Sequence, residues 1–352
     1  ALNSKPDTIP DVELSSNYIP LEDFFKNPEK TAFQISPDGK MVAFMQPWET
    51  RLNVHVQIIG SDEISRLTSA TERDVASYLW LGNNRIGYVQ DSGGDENYRL
   101  FAVNIDGTNE IDLTPFDNVQ TRMIDDLEDD PDHIILGLNK RDPRIHDAFR
   151  VNITDGTMKL IAENPGNISG WMTDHDGNLR VAITSDGVNT SLLYRDSESE
   201  SFKTILTTDF KVRVDPLFFT FDNKNLYVAS NRNRDKTAIY SFDITETQEK
   251  ELIFENDQVD VSGLMYSKKR KVLTGVSYTV AKREIFFFDD WRKDIQNKLE
   301  RKFPGYEVGI TSFSKDEKNA IVVTYSDKSR GTYYSYDVEK NELNELAKIS
   351  PW

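Results

Sequence analysis

The segment ISPDGKMVAF, residues 35–44, joins a tight turn to an apolar stretch of strand length, and variants of it recur along the chain. The apolar stretches that follow such turns begin at Met41, Arg85, His133, Leu179, Leu226, Val272 and Ala320, with successive starts 44 to 48 residues apart. The turns are rich in Asp, Asn, Gly or Lys, and the first three tolerate the left-handed backbone of short hairpins. Seven units of nearly constant length therefore fill residues 31–349.

Each unit repeats the same order of strands and turns. The strand after the turn is followed by a longer polar loop, a third strand such as VHVQII or RLFAVN, and in most units a short fourth strand. Four antiparallel strands at a period of about 40–50 residues are typical of β-propellers. A sandwich would not explain the constant period, and an α/β fold would need amphipathic helices between strands. We therefore predict an all-β fold, a seven-bladed β-propeller of four-stranded antiparallel blades.

The predicted domain organisation is an N-terminal segment, residues 1–30, followed by the propeller, residues 31–352. The blades are predicted near residues 31–68, 76–114, 120–162, 167–208, 216–255, 259–303 and 306–349. In the sixth unit, residues 289–303 (DDWRKDIQNKLERKF) have helical character, so we expect a modified outer edge there. Residues 9–30 could supply a strand that closes the ring or could reach toward another domain.

Composition and motifs exclude several classes of function. The chain has 42 Lys and Arg against 59 Asp and Glu, a net charge of −17, which argues against nucleic-acid binding. No apolar run approaches the roughly 18 residues of a membrane span. The 352 residues contain no cysteine, Walker loop or HExxH motif, and we interpret the acidic residues 125–132 and 174–177 as ordinary turns. The sequence therefore predicts neither a metal nor another cofactor.

Three longer segments carry a family resemblance that covers essentially the whole chain. ISPDGKMVAF resembles the blade signature of the prolyl oligopeptidase family of serine peptidases (family S9), and also that of TolB-like periplasmic propellers. The segments at residues 19–40, 91–101 and 161–187 resemble bacterial acylaminoacyl-peptidase-like and dipeptidyl-peptidase-like members. The resemblance implies that an α/β-hydrolase domain with a Ser-Asp-His triad follows the propeller. This sequence has no G-x-S-x-G elbow, so the hydrolase domain is absent from it and we expect the chain to be inactive alone, with no catalytic residue.

Two functional hypotheses follow from the resemblance. The first is a non-catalytic propeller domain that gates and orients oligopeptide substrates for the hydrolase domain, which would be its partner. The alternative is a stand-alone TolB-like propeller acting as a protein–protein interaction module, and a small-molecule or glycan binder is a third reading. An apolar patch on the hydrolase-facing surface would favour the first hypothesis, and a polar surface the second. The chain begins at Ala1, which we interpret as a processed or engineered end, and the bacterial resemblance favours a periplasmic or secreted location over a cytoplasmic one.

The strand order predicts which loops would bind a ligand. With strands A to D running from the inside of each blade outward, the B–C and D–A loops and both chain ends share one face. The candidate binding residues on that face are Trp48, Arg51, Asp95, Glu96, Asn97, Arg141, Arg144, Arg232 and Arg234. The resemblance implies that the adjacent acids Asp95 and Glu96 hold a substrate amine, while the arginines could bind a carboxylate or the hydrolase domain. Surface ion pairs and turn caps are the alternative for these residues, and Trp80 and Trp171 are predicted to pack in the core.

Overall fold

The computed structural model describes residues 29–91 and 93–349, which form seven antiparallel sheets arranged as a seven-bladed propeller. The predicted fold is confirmed. From the inside outward, blades 1 to 4 comprise β1 (Thr31–Ile35), β2 (Met41–Trp48), β3 (Arg51–Ile58) and β4 (Ile64–Arg66); β5 (Ser77–Trp80), β6 (Arg85–Gln90), β7 (Arg99–Asn104) and β8 (Ile111–Asp112); β9 (Thr121–Asp125), β10 (His133–Leu138), β11 (Asp147–Asn152) and β12 (Met158–Ala162); and β13 (Ile168–Thr173), β14 (Leu179–Ser185), β15 (Asn189–Tyr194) and β16 (Lys203–Asp209).

Blades 5 to 7 continue the same order with one exception. They comprise β17 (Val214–Phe219), β18 (Leu226–Ser230), β19 (Ala238–Asp243) and β20 (Gln248–Phe254); β21 (Gly263–Ser267), β22 (Val272–Thr279), β23 (Arg283–Phe287) and the helix α1 (Asp290–Lys302); and β24 (Glu307–Phe313), β25 (Asn319–Ser326), β26 (Ser329–Asp337) and β27 (Glu342–Lys348). The second strand of six blades starts at the residue where the sequence repeat placed it, and that of blade 7 starts one residue earlier.

Blade 6 has three strands, and α1 stands in the place of the fourth, as the helical character of residues 289–303 predicted. The helix begins at the N-cap Asp289, whose side chain accepts a hydrogen bond from the Arg292 N–H. Its apolar side is buried against blade 7, where Ile295 and Leu299 pack in one cluster with Tyr336. Helix α1 therefore ties the edge of blade 6 to the next blade.

The core of the ring lies between the blades. In the cluster between blades 1 and 2, Ala43 and Val54 pack against Tyr78 and Trp80. The polar ends of the two aromatic residues are satisfied across the same interface, because Tyr78 Oη donates to the Ala43 carbonyl at 2.9 Å and Trp80 Nε1 donates to the Gln34 carbonyl at 3.1 Å. Trp80 is therefore a core residue, as predicted.

The A–B turns also join neighbouring blades. The Asp38 N–H donates to Asn83 Oδ1 at 2.8 Å, from blade 1 to blade 2, and the His175 N–H donates to Asn223 Oδ1 at 2.9 Å, from blade 4 to blade 5. Each pair is separated by about one sequence repeat, so a nearly constant period is what brings donor and acceptor together.

Blades 1 and 7 close the ring by packing and by hydrogen bonds. Phe33 lies 5.0 Å, between ring centroids, from Tyr333, the Ile35 N–H donates to Ser312 Oγ at 3.2 Å, and the Lys315 N–H donates to the Pro37 carbonyl at 2.7 Å. Within the described residues each of these two blades consists of four strands that are consecutive in sequence, so neither exchanges a strand with the other. The predicted roles of residues 9–30 fall almost wholly outside the described part of the chain.

Alternation of strand direction gives the ring two faces. We call the face with the B–C and D–A loops the B–C face, and the face with the A–B and C–D turns the A–B face. Among the residues that the structure describes, no helix is long and apolar enough to cross a membrane.

Candidate functional site: the two faces of the ring

The B–C loop of blade 2 contains Asp95, Glu96 and Asn97. It is anchored by Asp91, a buried carboxylate that pairs with Arg73 at 3.1 Å. Asp95 Oδ1 accepts a hydrogen bond from the Asn97 N–H at 3.1 Å, and Glu96 has a φ of 59°, in the left-handed region. Both acidic side chains are exposed, and neither has an ion-pair partner within residues 29–91 and 93–349. Two adjacent carboxylates thus face solvent and form no ion pair with a described residue.

The B–C loop of blade 3 holds Arg141 and Arg144 in different ways. Arg141 forms two hydrogen bonds of 3.1 Å with the buried carboxylate of Asp147 and donates to the Asn164 carbonyl at 2.6 Å. Its guanidinium is therefore largely occupied by the loop itself. Arg144 is 85% exposed and pairs with Asp142 at 2.8 Å. The Arg144 side chain, by hydrogen bonding, lowers the pKa of the Asp142 carboxyl to about 2.

The two predicted arginines of blade 5 are bound to their own blade. Arg232 donates to Glu249 Oε2 at 2.6 Å, and Glu249 belongs to the outer strand β20. Arg234 donates to Tyr240 Oη at 2.8 Å and to Glu255 Oε2 at 2.7 Å. These contacts leave fewer donors for a ligand than the sequence alone suggested.

Trp48 and Arg51 flank the two-residue B–C turn of blade 1. The guanidinium of Arg66, from the outer strand β4, lies 3.7 Å above the centre of the Trp48 ring and covers one side of it. Arg51 is exposed, and in the described part of the chain its side chain has no ion pair. Arg51 is therefore free to contact a ligand or a neighbouring domain.

A cleft with a volume of about 490 Å³ opens between blades 3 and 4 near the B–C face. One wall is formed by Arg122 on β9 and by Arg144 and His146 in the B–C loop of blade 3, and the other includes Ile168 and Trp171 on β13. The Trp171 Nε1–H donates to the His146 carbonyl at 3.2 Å, so the indole is fixed across the blade boundary. Trp171, predicted as a core residue, is partly buried against the core cluster of Ala148, Ala162 and Leu179, and it also lines the cleft.

The B–C face exposes apolar side chains on blades 4, 6 and 7 and in the connection between blades 4 and 5. Val188 in a B–C loop is 59% exposed and Phe210 in the following D–A connection is 73% exposed. Exposed apolar residues on blades 6 and 7 near the same face are Val280, Tyr306 and Tyr325. Exposed apolar side chains mark a surface that contacts another protein where they form a contiguous patch. Pro351 and Trp352, which we expected to join such a patch, lie outside the described residues.

The A–B face is crossed by ion pairs between opposite blades. Asp129, in the A–B turn of blade 3, lies 2.6 Å from the Lys315 ammonium of blade 7 and 3.3 Å from the Lys268 ammonium of blade 6. We call these three residues the ionic bridge. Restricted solvation, ahead of repulsion from Glu128 and Asp125, raises the pKa of the Asp126 carboxyl in the same turn to about 6. The turn that we interpreted as an ordinary acidic turn therefore reaches across the channel.

Aromatic rings lie beside the ionic bridge. His175 of blade 4 stacks on Phe221 with 5.2 Å between ring centroids and meets the edge of Tyr266, from blade 6, at 5.7 Å. Tyr266 and Phe218, from blade 5, are 4.3 Å apart. Blades 4, 5 and 6 thus contribute to one cluster at the A–B end of the channel.

One group in the described ranges has the donor set of a cation site. Ligand atoms of Asp130, Asp132 and His133 lie within 4.8 Å of one another. Asp130 already contacts the His133 ring at 3.1 Å, and its side chain also accepts the Asp132 N–H at 2.9 Å. These contacts shape the turn, and we assign no metal to it.

Sequence reasoning missed the cleft and the ionic bridge for different reasons. Arg122 is a charged residue on a first strand, a position that is otherwise mostly apolar, and this signal was available in the sequence. The ionic bridge joins residues nearly 140 and 190 positions apart, and no local pattern indicates which turns meet across the ring.

Comparisons with known proteins show which proteins the chain is related to. The chain is 30% identical over 362 aligned residues to dipeptidyl aminopeptidase BIII of Pseudoxanthomonas mexicana and 24% identical to dipeptidyl peptidase family member 6 of Caenorhabditis elegans. The alignments include 100% and 88% of this chain, whereas the chain spans 51% and 44% of the two relatives, about half their length. No family model matches the chain.

Solved structures agree in fold. Prolyl oligopeptidase B of Galerina marginata superposes on 94% of the chain with a TM-score of 0.61 and 11% identity, and the chain covers 53% of that protein. At this identity the likeness concerns the fold alone, whereas the relationship rests on the sequence match, which extends over the whole of this chain and about half of the relative. The chain therefore belongs to the prolyl oligopeptidase family of peptidases, family S9, and corresponds to the N-terminal propeller domain of its members.

Proposed function

We propose that this chain is the substrate-gating propeller of a serine peptidase and that an α/β-hydrolase domain docks on its B–C face. The observation that carries the proposal is the exposed apolar surface there, which includes Phe210, Val188 and Tyr306. A stand-alone interaction module was expected to be polar on this face. In the proposed assembly the apolar side chains are buried by the hydrolase domain, and burial of apolar area contributes about 25 cal/mol per Å².

In the same assembly, the ring would control which peptides reach the hydrolase domain. The ionic bridge and the aromatic cluster narrow the channel at the A–B face, whereas the longer loops of blades 2, 3 and 5 surround the B–C face. A hydrolase domain seated on the B–C face would then receive peptides in a chamber bounded by the ring. Large folded proteins would be excluded, and short oligopeptides would be admitted.

Asp95 and Glu96 are the proposed contact for a substrate amine. Two carboxylates that face solvent and form no ion pair with a described residue can accept charge-assisted hydrogen bonds from an ammonium group. The names of the two relatives, a dipeptidyl aminopeptidase and a dipeptidyl peptidase, are consistent with substrates that carry a free amino terminus. Arg51, which has no described ion pair, is the candidate for a contact with the hydrolase domain or with a substrate carbonyl.

The first experiment compares residues 1–352 with a protein extended through the natural downstream sequence. We expect only the extended protein to hydrolyse aminoacyl- and acyl-aminoacyl-nitroanilides. Hydrogen exchange should show protection around Phe210 and Tyr306 in the extended protein only, whereas Ile58, which is 55% exposed at the opposite face, should exchange equally in both. An extended protein inert on every peptide, or a reading frame that ends near Trp352, would overturn the proposal in favour of partner capture.

The amine contact has its own matched control. The double variant Asp95→Asn, Glu96→Gln in the extended protein should raise KM about 10-fold or more for substrates with a free amine, since a lost charge-assisted contact is worth at least about 1.4 kcal/mol. It should leave KM for N-acylated substrates unchanged. Asp62→Asn, Glu63→Gln neutralises a similar exposed pair on the A–B face and should change neither. An equal effect on both substrate classes would contradict the assignment.

A further inference from the structure

The cleft between blades 3 and 4 differs in charge from the rest of the protein. The chain carries 59 acidic residues against 42 basic ones, yet no Asp or Glu is among the residues that line the cleft. Two arginines, Arg122 and Arg144, do line it. Burial, together with the charge of Arg122, lowers the pKa of His146 to about 4, so the imidazole is neutral at pH 7. The cleft is therefore a cationic site in an acidic molecule, and its uncompensated charge is that of Arg122, because Arg144 is paired with Asp142.

Arg122 is available to bind an anion. Its side chain is exposed, and among the described residues it makes one side-chain hydrogen bond, from Nη2 to Gln120 Oε1, which is long at 3.4 Å. Arg122 forms no ion pair with any residue in the described ranges. Arg144 uses Nε and Nη2 for Asp142 and presents the rest of its guanidinium to solvent. A carboxylate in the cleft would supply the acceptor that Arg122 lacks.

The remaining walls fit an apolar group attached to that carboxylate. Ile168, Ile145 and the Trp171 ring line the cleft. Space for an apolar group exists because Gly137, opposite Arg122 in the β9–β10 register, has no side chain. A Cβ atom added at Gly137 would lie 3.5 Å from His146 Cβ and 3.6 Å from Ile124 Cδ1, so it would point toward the cleft-lining residues without a clash.

The cleft also borders a free strand edge. Strand β13 is the innermost strand of blade 4, and only one of its edges is paired, with β14. At Ile168 this edge is occupied, because its N–H and carbonyl are hydrogen-bonded to the Asn164 side chain. Beyond Ile168, backbone groups on the same edge can hydrogen-bond to an extended peptide, in the manner of strand addition. A cationic group, an apolar wall and an unpaired strand edge together match the last residues of a peptide.

We propose that the cleft binds the C-terminal end of a short peptide, with its α-carboxylate on Arg122 and Arg144 and its last apolar side chain against Ile168 and Trp171. The choice of a peptide as ligand rests on the proposed function, whereas the cationic character of the cleft does not. Such a site would hold the C-terminal end of the substrate and would therefore favour substrates of limited length.

Binding can be measured on residues 1–352 without the hydrolase domain. Isothermal titration with Ala-Ala-Ile and with its C-terminal amide tests the carboxylate. We expect the free acid to bind and the amide to bind at least 10-fold more weakly. Arg122→Gln should weaken binding of the free acid by a similar factor, and Gly137→Val should abolish it by filling the cleft. Arg283→Gln, which removes another exposed arginine from the same face on blade 6, should leave it unchanged.

Three results would overturn the inference. Equal affinity for acid and amide would remove the carboxylate from the interaction, and unchanged binding by both cleft variants would place the peptide elsewhere. Displacement by inorganic phosphate together with equal binding of acetate and tripeptide would leave a general anion site only. These outcomes can be distinguished from those for the proposed function. If the extended protein is inert but the propeller still binds the free acid, the peptidase assignment is refuted and the peptide site in the cleft is retained.

Discussion

Replacing Asn164 by alanine should destabilise the loop that forms the rim of the cleft. The Asn164 side chain is fully buried and makes four hydrogen bonds. Its Oδ1 accepts from the Gly166 N–H at 2.9 Å and the Ile168 N–H at 3.1 Å, and its Nδ2 donates to the Ile168 carbonyl at 2.8 Å and more weakly to the His146 carbonyl at 3.3 Å. One side chain thereby fixes the D–A connection between blades 3 and 4.

The expected magnitude follows from those bonds. A buried hydrogen bond contributes about 1 kcal/mol net, and a buried partner left without one costs about 1–3 kcal/mol more. Three well-formed bonds are lost in Asn164→Ala, while water can reach some of the freed groups because the neighbouring residues are exposed. We therefore expect the free energy of unfolding to fall by about 2–4 kcal/mol.

Urea unfolding followed by circular dichroism measures this change, and Asn167→Ala is the matched control. Asn167 lies three residues away and is exposed, and none of the described side-chain hydrogen bonds involves it, so its replacement should change stability by less than about 0.5 kcal/mol. A loss below about 1 kcal/mol for Asn164→Ala, or equal losses for the two variants, would refute the idea that this side chain organises the loop.

Three further changes test other parts of the ring. The folded-state pKa of Asp126 is about 6, above its ordinary value, so the stability that its protonated form contributes is present at low pH and is lost as the pH rises through 6. Asp126→Asn should therefore raise the urea midpoint at pH 7.5 and not at pH 4. Equal shifts at both pH values would contradict this. Asp289→Ala removes the N-cap of α1 and the partner of Arg270, and should cost about 1–2 kcal/mol in urea unfolding, against less than half of that for Asp290→Ala. A double-mutant cycle of Asp129→Asn and Lys315→Gln should give a coupling of about 0.2–1 kcal/mol that nearly vanishes in 1 M NaCl, because both groups are more than half exposed; a coupling insensitive to salt would rule out a solvated pair.

The fold could be predicted because its cause is local and repeated. Several A–B turns, such as residues 36–40, are held by their own side chains; the Ser36 hydroxyl, for example, donates to Asp38 Oδ1 at 2.7 Å. The spacing of these turns sets the number of blades. The helix in blade 6 was also visible, since residues 289–303 break the alternating pattern of a strand.

The candidate site could be predicted only as a set of loops. Sequence alone could not show that Arg141 forms an ion pair with Asp147 whereas Arg51 forms none with a described residue. Each outcome depends on contacts that exist only in the folded loop. The cleft is formed by Gly137 and Arg122 from one blade and Ile168 from the next. A glycine on one strand does not indicate which residue of the neighbouring blade will face it. The assignment of these residues to a peptide stays a prediction.

The ionic bridge makes the two ends of the channel unequal. Asp129, Lys268 and Lys315 meet within hydrogen-bond distance across the A–B end of the channel, so a chain threading through that end would first have to separate oppositely charged groups. In the proposed assembly, a peptide would therefore enter and leave mainly through the B–C face. Entry and exit would then share one opening, and a peptide end bound in the cleft would slow the exchange of other molecules through it.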